Sequence, residues 1–229
     1  MIFGSQVLNI ALTSDLPSTP NQVVFDFMRS GRPRPRIAWM APFTRMGRER
    51  FPAAKGLFAA YGFSDLEYCD IDQEPSHEQL AGLDQYDIIY LTGGDPIGFQ
   101  RSILRAGLPA RLQQCLAAGR LIVAASGGSM QLTKNVSLFR LLTAPLDEVL
   151  ANHGEYEALS VVEYEILPHM NRFEAAFMET VRRYSERITH DVIALADGAA
   201  LLHTNRDNYR CIGEATRFSN GIMTLIEAA

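Results

Sequence analysis

Over the first 135 residues, short apolar runs alternate with longer amphipathic stretches, the sequence form of repeated βα units around a parallel sheet. Val7 to Leu12, Ile37 to Met40, Leu66 to Cys69, Ile88 to Leu91 and Leu121 to Ala124 are brief and apolar, which predicts strands covered on both faces. Helices are expected over Asn21 to Arg29, Arg48 to Tyr61, Ser76 to Leu83 and Pro109 to Ala118, the last closed by Gly119. A further helix is expected after Ser126, to about Lys134. Asn135 to Ala158 shows no firm period, so no element is assigned there. Val161 to Leu167 then reads as a strand, Phe173 to Arg187 as a helix, and Val192 to Ala196, Ala199 to His203 and Arg210 to Gly213 as closing strands. The predicted class is α/β, a mostly parallel sheet with helices on both faces, in one domain over residues 1–229. Ligands of such sheets bind beyond the carboxyl ends of the strands, so residues just after each strand are the first candidates for chemistry.

Composition narrows the class without choosing a function. Hydrophobic residues are 47% of the chain and charged residues 21%, the balance of an ordinary globular protein. The 21 basic and 26 acidic side chains give a net charge of −5, and the basic cluster at Arg32 to Arg36 reads as a solvated loop, so no nucleic-acid partner is expected. Cys69, Cys115 and Cys211 are widely spaced with no CxxC, which signals neither a disulfide framework nor a zinc site. No apolar run approaches the ~18 residues of a membrane span, and no basic segment precedes an apolar one at the N-terminus. A cytoplasmic protein is expected, with no membrane partner.

The strongest chemical signal is at residues 121–130, where an apolar strand runs into small residues and then a helix, with Ser126 at the turn. That is the layout of a nucleophile elbow. A serine held there has a strained backbone, and small residues two before and two after it avoid collision across the turn; Ala124 and Gly128 fill those places. Alanine stands where the G-x-S-x-G motif has its first glycine. Ser129 is the weaker alternative, because Gln131 occupies its required small position. An ordinary strand-to-helix turn or a phosphate-cradling loop would also fit this segment alone.

Ile88 to Leu91 ends in a second turn, Thr92-Gly93-Gly94-Asp95-Pro96, whose glycines would let backbone N–H groups approach a reacting carbonyl oxygen. With the N–H of Gly127 they would form an oxyanion hole. A hydroxyl nucleophile needs a base, normally histidine. His77, His153 and His190 read as solvated surface histidines, and His203 as a core or edge residue ending a strand. His169 follows a predicted strand and Pro168, where α/β geometry places catalytic groups, and is the favoured base.

At these residues the chain resembles the aspartyl dipeptidase (peptidase E) and cyanophycinase family of serine peptidases, whose fold is similar to class I glutamine amidotransferases. The resemblance is carried, in order, by Leu12-Thr13-Ser14, Tyr90 to Asp95, Ala125 to Gly128, Leu167-Pro168-His169, and Leu195 to Ala200. It implies Ser126 as nucleophile, His169 as base and Gly93 and Gly94 at the oxyanion. The third member implied is Asp197, with Asp147 or Glu148 as the alternative in relatives whose acid follows the serine. The commonest elbow of that family carries alanine where this chain has Gly127. Relatives that prefer an N-terminal aspartate pair its carboxylate with an arginine beyond the histidine, for which Arg172 and Arg182 are the candidates. Asp95 joins Arg172 as an expected substrate contact. The resemblance implies small peptides as substrate, with an N-terminal Asp or β-Asp residue as one option, no metal or organic cofactor, and a homodimer as the oligomer to consider.

Two other readings compete. An α/β-hydrolase esterase orders its residues serine, acid, histidine, whereas Ser126, His169 and Asp197 run differently. A glutamine amidotransferase needs a cysteine at the elbow, and Cys115 lies in a helix pattern before the strand. A noncatalytic binding protein that kept the fold is the alternative from another class, left open by the Ser126-Gly127-Gly128-Ser129 turn.

Overall fold

The computed structural model describes residues 7–16, 22–42, 44–72, 82–206 and 208–228. His77 and most of the helix expected over Ser76 to Leu83 lie outside them, as does Asn21.

Seven strands form the main sheet. They are β1 (Val7–Thr13), β2 (Arg36–Ala41), β3 (Asp65–Asp70), β4 (Ile88–Leu91), β5 (Leu121–Ala125), β8 (Ala200–Asn205) and β9 (Tyr209–Ile212). Their order is β3-β2-β4-β5-β1-β8-β9, parallel from β3 through β1, with β8 antiparallel to β1 and β9 antiparallel to β8. Side chains alternate across it as the pleat requires. Ile89, Leu91, Ile122 and Ala124 enter one core layer, while Ile88, Tyr90, Leu121 and Val123 enter the other. Both faces of β4 and β5 are buried, which is why these two strands read as unbroken apolar runs.

Helices α1 (Gln22–Arg29) and α2 (Thr44–Ala60) belong to this layered part, with α3 (Pro96–Arg105) and α4 (Leu108–Ala117). The sequence reading passed over α3, although its start signal is explicit: Pro96 in the first turn and Asp95 as N-cap, accepting from the Ile97 N–H at 3.0 Å. Helix α5 (Gly127–Gln131) stops short of the expected Lys134, because the Lys134 N–H turns to donate to the Tyr164 carbonyl.

A smaller sheet carries the second half of the site. Its order is β11-β10-β7-β6, from β6 (Glu165–Leu167), β7 (Val192–Leu195), β10 (Ala215–Ser219) and β11 (Ile222–Ile226). The strand expected from Val161 is therefore only three residues long: the N–H groups of Val161 and Val162 both donate to the Leu132 carbonyl rather than to a neighbouring strand. The closing strands also divide, β7 joining this sheet and β8 and β9 the main one. Residues 135–158, left unassigned from sequence, hold a 3-10 turn at Ser137–Leu142, α6 (Leu146–Ala151) and a second 3-10 turn at His153–Tyr156. With α7 (Ala175–Ser185) they pack a third core around Leu138, Val181, Tyr184 and Phe218. Among the described residues, no helix is long and apolar enough to cross a membrane.

Candidate functional site

The ends of β1, β4 and β5 in the main sheet and of β6 and β7 in the smaller one converge around Ser126. It follows β5 with φ 51° and ψ −121°, a backbone conformation that is costly for a residue with a Cβ. The surroundings hold it there. Its N–H donates to the Thr13 carbonyl at 2.9 Å, and a Cβ on Gly128 would lie 2.5 Å from the carbonyl oxygens of both Leu91 and Thr92. The small residue expected two places after the serine is thus a consequence of β4 passing directly beneath the turn. Ser129 is fully buried, its hydroxyl 2.8 Å from the Thr13 carbonyl and 2.7 Å from that of Ala124, and it ties β1 to β5 rather than facing the site.

The Ser126 Oγ lies 2.8 Å from His169 Nε2, and His169 Nδ1 lies 2.7 Å from Asp197 Oδ1. A carboxylate can only accept, so the proton of a neutral His169 sits on Nδ1 and leaves Nε2 open to the serine O–H. His169 follows β6 and has a left-handed backbone, φ 62°; its N–H donates to Ser14 Oγ at 2.7 Å. Asp197 follows β7. Burial pushes its pKa up, but hydrogen bonds from Arg172, His169 and Asn171 outweigh that and hold it below the ordinary carboxylate value. Arg172 Nε donates to Asp197 Oδ2 at 2.7 Å, and Asn171 accepts from the Asp197 N–H at 2.8 Å. Asp15 Oδ1 accepts from Gly198 N–H at 2.6 Å, so the end of β1 braces both later turns.

Gly93 and Gly94 also sit against the elbow. A Cβ on Gly93 would be 3.1 Å from that of Ser126, and a Cβ on Gly127 would be 2.1 Å from the Gly94 carbonyl oxygen. As the first residue of α5, Gly127 has an N–H with no intrahelical acceptor.

Other expected residues fall elsewhere. Asp147 pairs with Arg187 at 2.5 Å and Glu148 with Arg140, so neither faces His169. Arg182 is held on α7 between Glu179 and Glu186, away from Ser126. Asp95 caps α3, and Arg172 engages Asp197 while lining the pocket beside Ser126. That pocket, about 290 Å³, is backed by Trp39, Phe58 and Tyr90 and carries Asp15 and Arg50, residues the sequence reading did not single out. Of these two, Asp15 had a positional signal, as the second residue beyond β1. Asn171 had none beyond its closeness to His169.

His153 and His190, expected at the surface, instead contact the fully buried Glu165 at 3.3 and 2.6 Å, and Tyr184 donates to the same carboxylate at 2.9 Å. Asn135 is oriented by accepting from the Ser137 N–H, so its amide N–H faces His153 Nδ1 and leaves the proton on Nε2, toward Glu165. Burial pushes the Cys69 thiol up to about 11 and raises Cys115 and Cys211 as well, which suits packed thiols rather than nucleophiles.

An α/β fold with a strained serine at a strand-to-helix elbow, in line with a histidine and a carboxylate, is the class that this geometry defines. More particularly, the chain belongs to peptidase family S51, which it matches over residues 50–210. It is 28% identical over 122 residues to an uncharacterized peptidase of Listeria monocytogenes, covering 52% of this chain and 58% of that protein. A second uncharacterized peptidase, from Listeria innocua, is 27% identical over 137 residues, covering 56% and 64%. The chain thus spans about three fifths of the length of the curated relatives it matches. Its fold matches a crystal structure of a candidate peptidase E from Listeria monocytogenes, with TM-score 0.69, 20% identity, and 90% and 98% of the two chains covered. It also matches a peptidase from an acI-B1 Actinobacterium, with TM-score 0.75 and 14% identity over 100% and 98%.

Proposed function

We propose that this chain is a serine-type peptidase of small peptides, with Ser126 as nucleophile, His169 as base and Asp197 as the group that orients the imidazole. The observation that carries the reading is the continuous hydrogen-bond line from Ser126 Oγ through His169 to Asp197, with links of 2.8 and 2.7 Å. In this mechanism His169 Nε2 takes the Ser126 proton as Oγ attacks the peptide carbonyl, and the N–H groups of Gly127 and Gly94 receive the developing oxyanion. His169 then returns the proton to the leaving amine. Water, activated by the same imidazole, hydrolyses the acyl-serine and restores Ser126. Asp197 stays ionised and stabilises the imidazolium that forms between the two transfers.

The pocket backed by Trp39 is suited to the N-terminal residue of the substrate. Its far wall consists of buried aromatic side chains, so a chain cannot continue through it, and the Asp15 carboxylate is a counter-charge for a free ammonium group. An acidic side chain there would meet Arg50, and also Arg172 from the side not engaged with Asp197.

The test is hydrolysis of a dipeptide panel with Asp, β-Asp and neutral N-terminal residues, by wild type and Ser126→Ala in parallel, alongside labelling by a fluorophosphonate. Ser126-dependent cleavage and labelling are expected. Equal labelling of wild type and variant overturns the nucleophile, and absence of both activities favours a noncatalytic binding protein.

A further inference from the structure

Two depressions of unlike chemistry open from Ser126, and both are lined by Gly94, Ser126 and His169. One is the pocket with Asp15 and Arg50. The other, about 130 Å³, is walled by Met130, Leu138, Phe139, Leu142, Leu167 and Phe173, and its exposed lining is almost wholly apolar. An apolar cavity of roughly 150 Å³ is large enough for a benzene ring, so this one matches a single large apolar side chain.

Its outer wall comes from the 3-10 turn Ser137–Leu142, in the segment that had no readable period. Residues three apart in a 3-10 turn lie above one another. Leu138 and Leu141 accordingly form a buried row, while Phe139 and Leu142 form a second row that stands 37% and 46% exposed at the mouth of the cavity. Large apolar side chains left open beside a reactive serine mark a surface that a ligand covers.

Resting on the assignment of Ser126 as nucleophile, we propose that this cavity binds a large aliphatic or aromatic side chain on the residue that follows the scissile bond. The first pocket ends in buried aromatic rings and takes a terminal residue. The apolar cavity has its exposed rim at Phe139 and Leu142, so the leaving part of a substrate can fill it and still continue into solvent. Leu138, Phe139, Leu142 and Phe173 are then specificity residues, and none of them moves a proton. The preferred substrate is a short peptide with a charged or free N-terminal residue on one side of the bond and Leu, Met, Phe or Tyr on the other.

The test is kcat/KM for dipeptides that share one N-terminal residue and carry Leu, Phe, Gly or Asp second. Leu and Phe should exceed Gly by roughly ten- to two-hundredfold, the discrimination an apolar pocket supplies. Phe139→Ala and Leu142→Ser, at partly exposed positions that tolerate replacement, should each shrink that ratio severalfold. Equal values for Leu, Gly and Asp in wild type, or ratios unchanged in both variants, overturn the proposal. If no dipeptide is cleaved, labelling of Ser126 by a fluorophosphonate with a benzyl arm is compared with its methyl counterpart. Faster labelling by the benzyl probe supports the cavity, and equal rates refute it while leaving Ser126 as nucleophile. No labelling by either refutes the nucleophile and the specificity site together.

Discussion

Gly127→Ala isolates the contact between the two glycine turns. An added methyl would lie 2.1 Å from the Gly94 carbonyl oxygen, 3.2 Å from its carbon and 3.4 Å from the Pro96 nitrogen, all backbone atoms. Optimal separations are near 3.5 Å, so the turn must retreat by roughly 1 Å or more. Retreat is obstructed. The Gly94 α-carbon already sits close to Pro42, where an ideal Cβ would be 2.7 Å from the proline ring. Overpacking of this kind costs about 1–3 kcal/mol. Helix propensity acts the other way, since alanine in α5 would by itself stabilise by up to about 1 kcal/mol over glycine. A net loss in urea unfolding therefore reports the clash. Displacing Gly94 by ~1 Å should also disturb the oxyanion contacts, and misplacement on that scale can lower rates about a hundredfold. The assay is the fluorophosphonate labelling rate of Ser126 together with the unfolding midpoint. Wild-type values of both would show that the two turns are not coupled, and would refute the account of why glycine stands here.

Further outcomes follow from the same geometry. His169→Ala should lower peptide turnover by several orders of magnitude with little change in unfolding midpoint, and Asp197→Asn should lower it by about ten-thousandfold if the imidazole tautomer depends on the carboxylate; near-normal kcat/KM in either removes that residue from the mechanism. His203 is fully buried, accepts from Tyr164 and donates to the Asn205 carbonyl, and burial lowers its pKa from 6.5 to about 4. The unfolded chain therefore binds more protons between those values, so stability should fall by about 3 kcal/mol as pH drops from ~6.5 to ~4. His203→Gln should flatten the unfolding midpoint over that window, and an unchanged slope would refute the assignment. Glu165→Leu leaves Tyr184, His153 and His190 without their shared acceptor and should cost about 3 kcal/mol in chemical unfolding; a loss under ~1 kcal/mol would show that the carboxylate is dispensable.

Much of the sheet was legible because its physics is local. Strands β1, β2, β4 and β5 are largely buried on both faces, an environment that a continuous apolar run satisfies, while the edge strand β3 buries Leu66 and exposes Glu67; all five lie within a residue or so of the positions expected. The elbow was legible for the same reason: β4 runs so close beneath it that Gly128 has no substitute, and the constraint is written into the sequence. Asp197 was readable only through resemblance to relatives. Its partner lies 28 residues away, and nothing in the spacing reports that the turns after β6 and β7 face one another.

Tertiary structure alone decided the rest. The division of the closing strands between two sheets depends on which edges are free to pair, and isolated strand propensity does not carry that information. The segment after Asn135 has no period because its 3-10 turns follow a threefold repeat too short to show as a pattern. Its sides become apolar wall and buried core only when β6 and α7 are in place. His153 and His190 look like solvated histidines in sequence because the carboxylate that captures them comes from a different strand. The chain by itself thus determined where a nucleophile could be held. Long-range packing determined which acid lies against His169 and which side chains line the depressions beside Ser126.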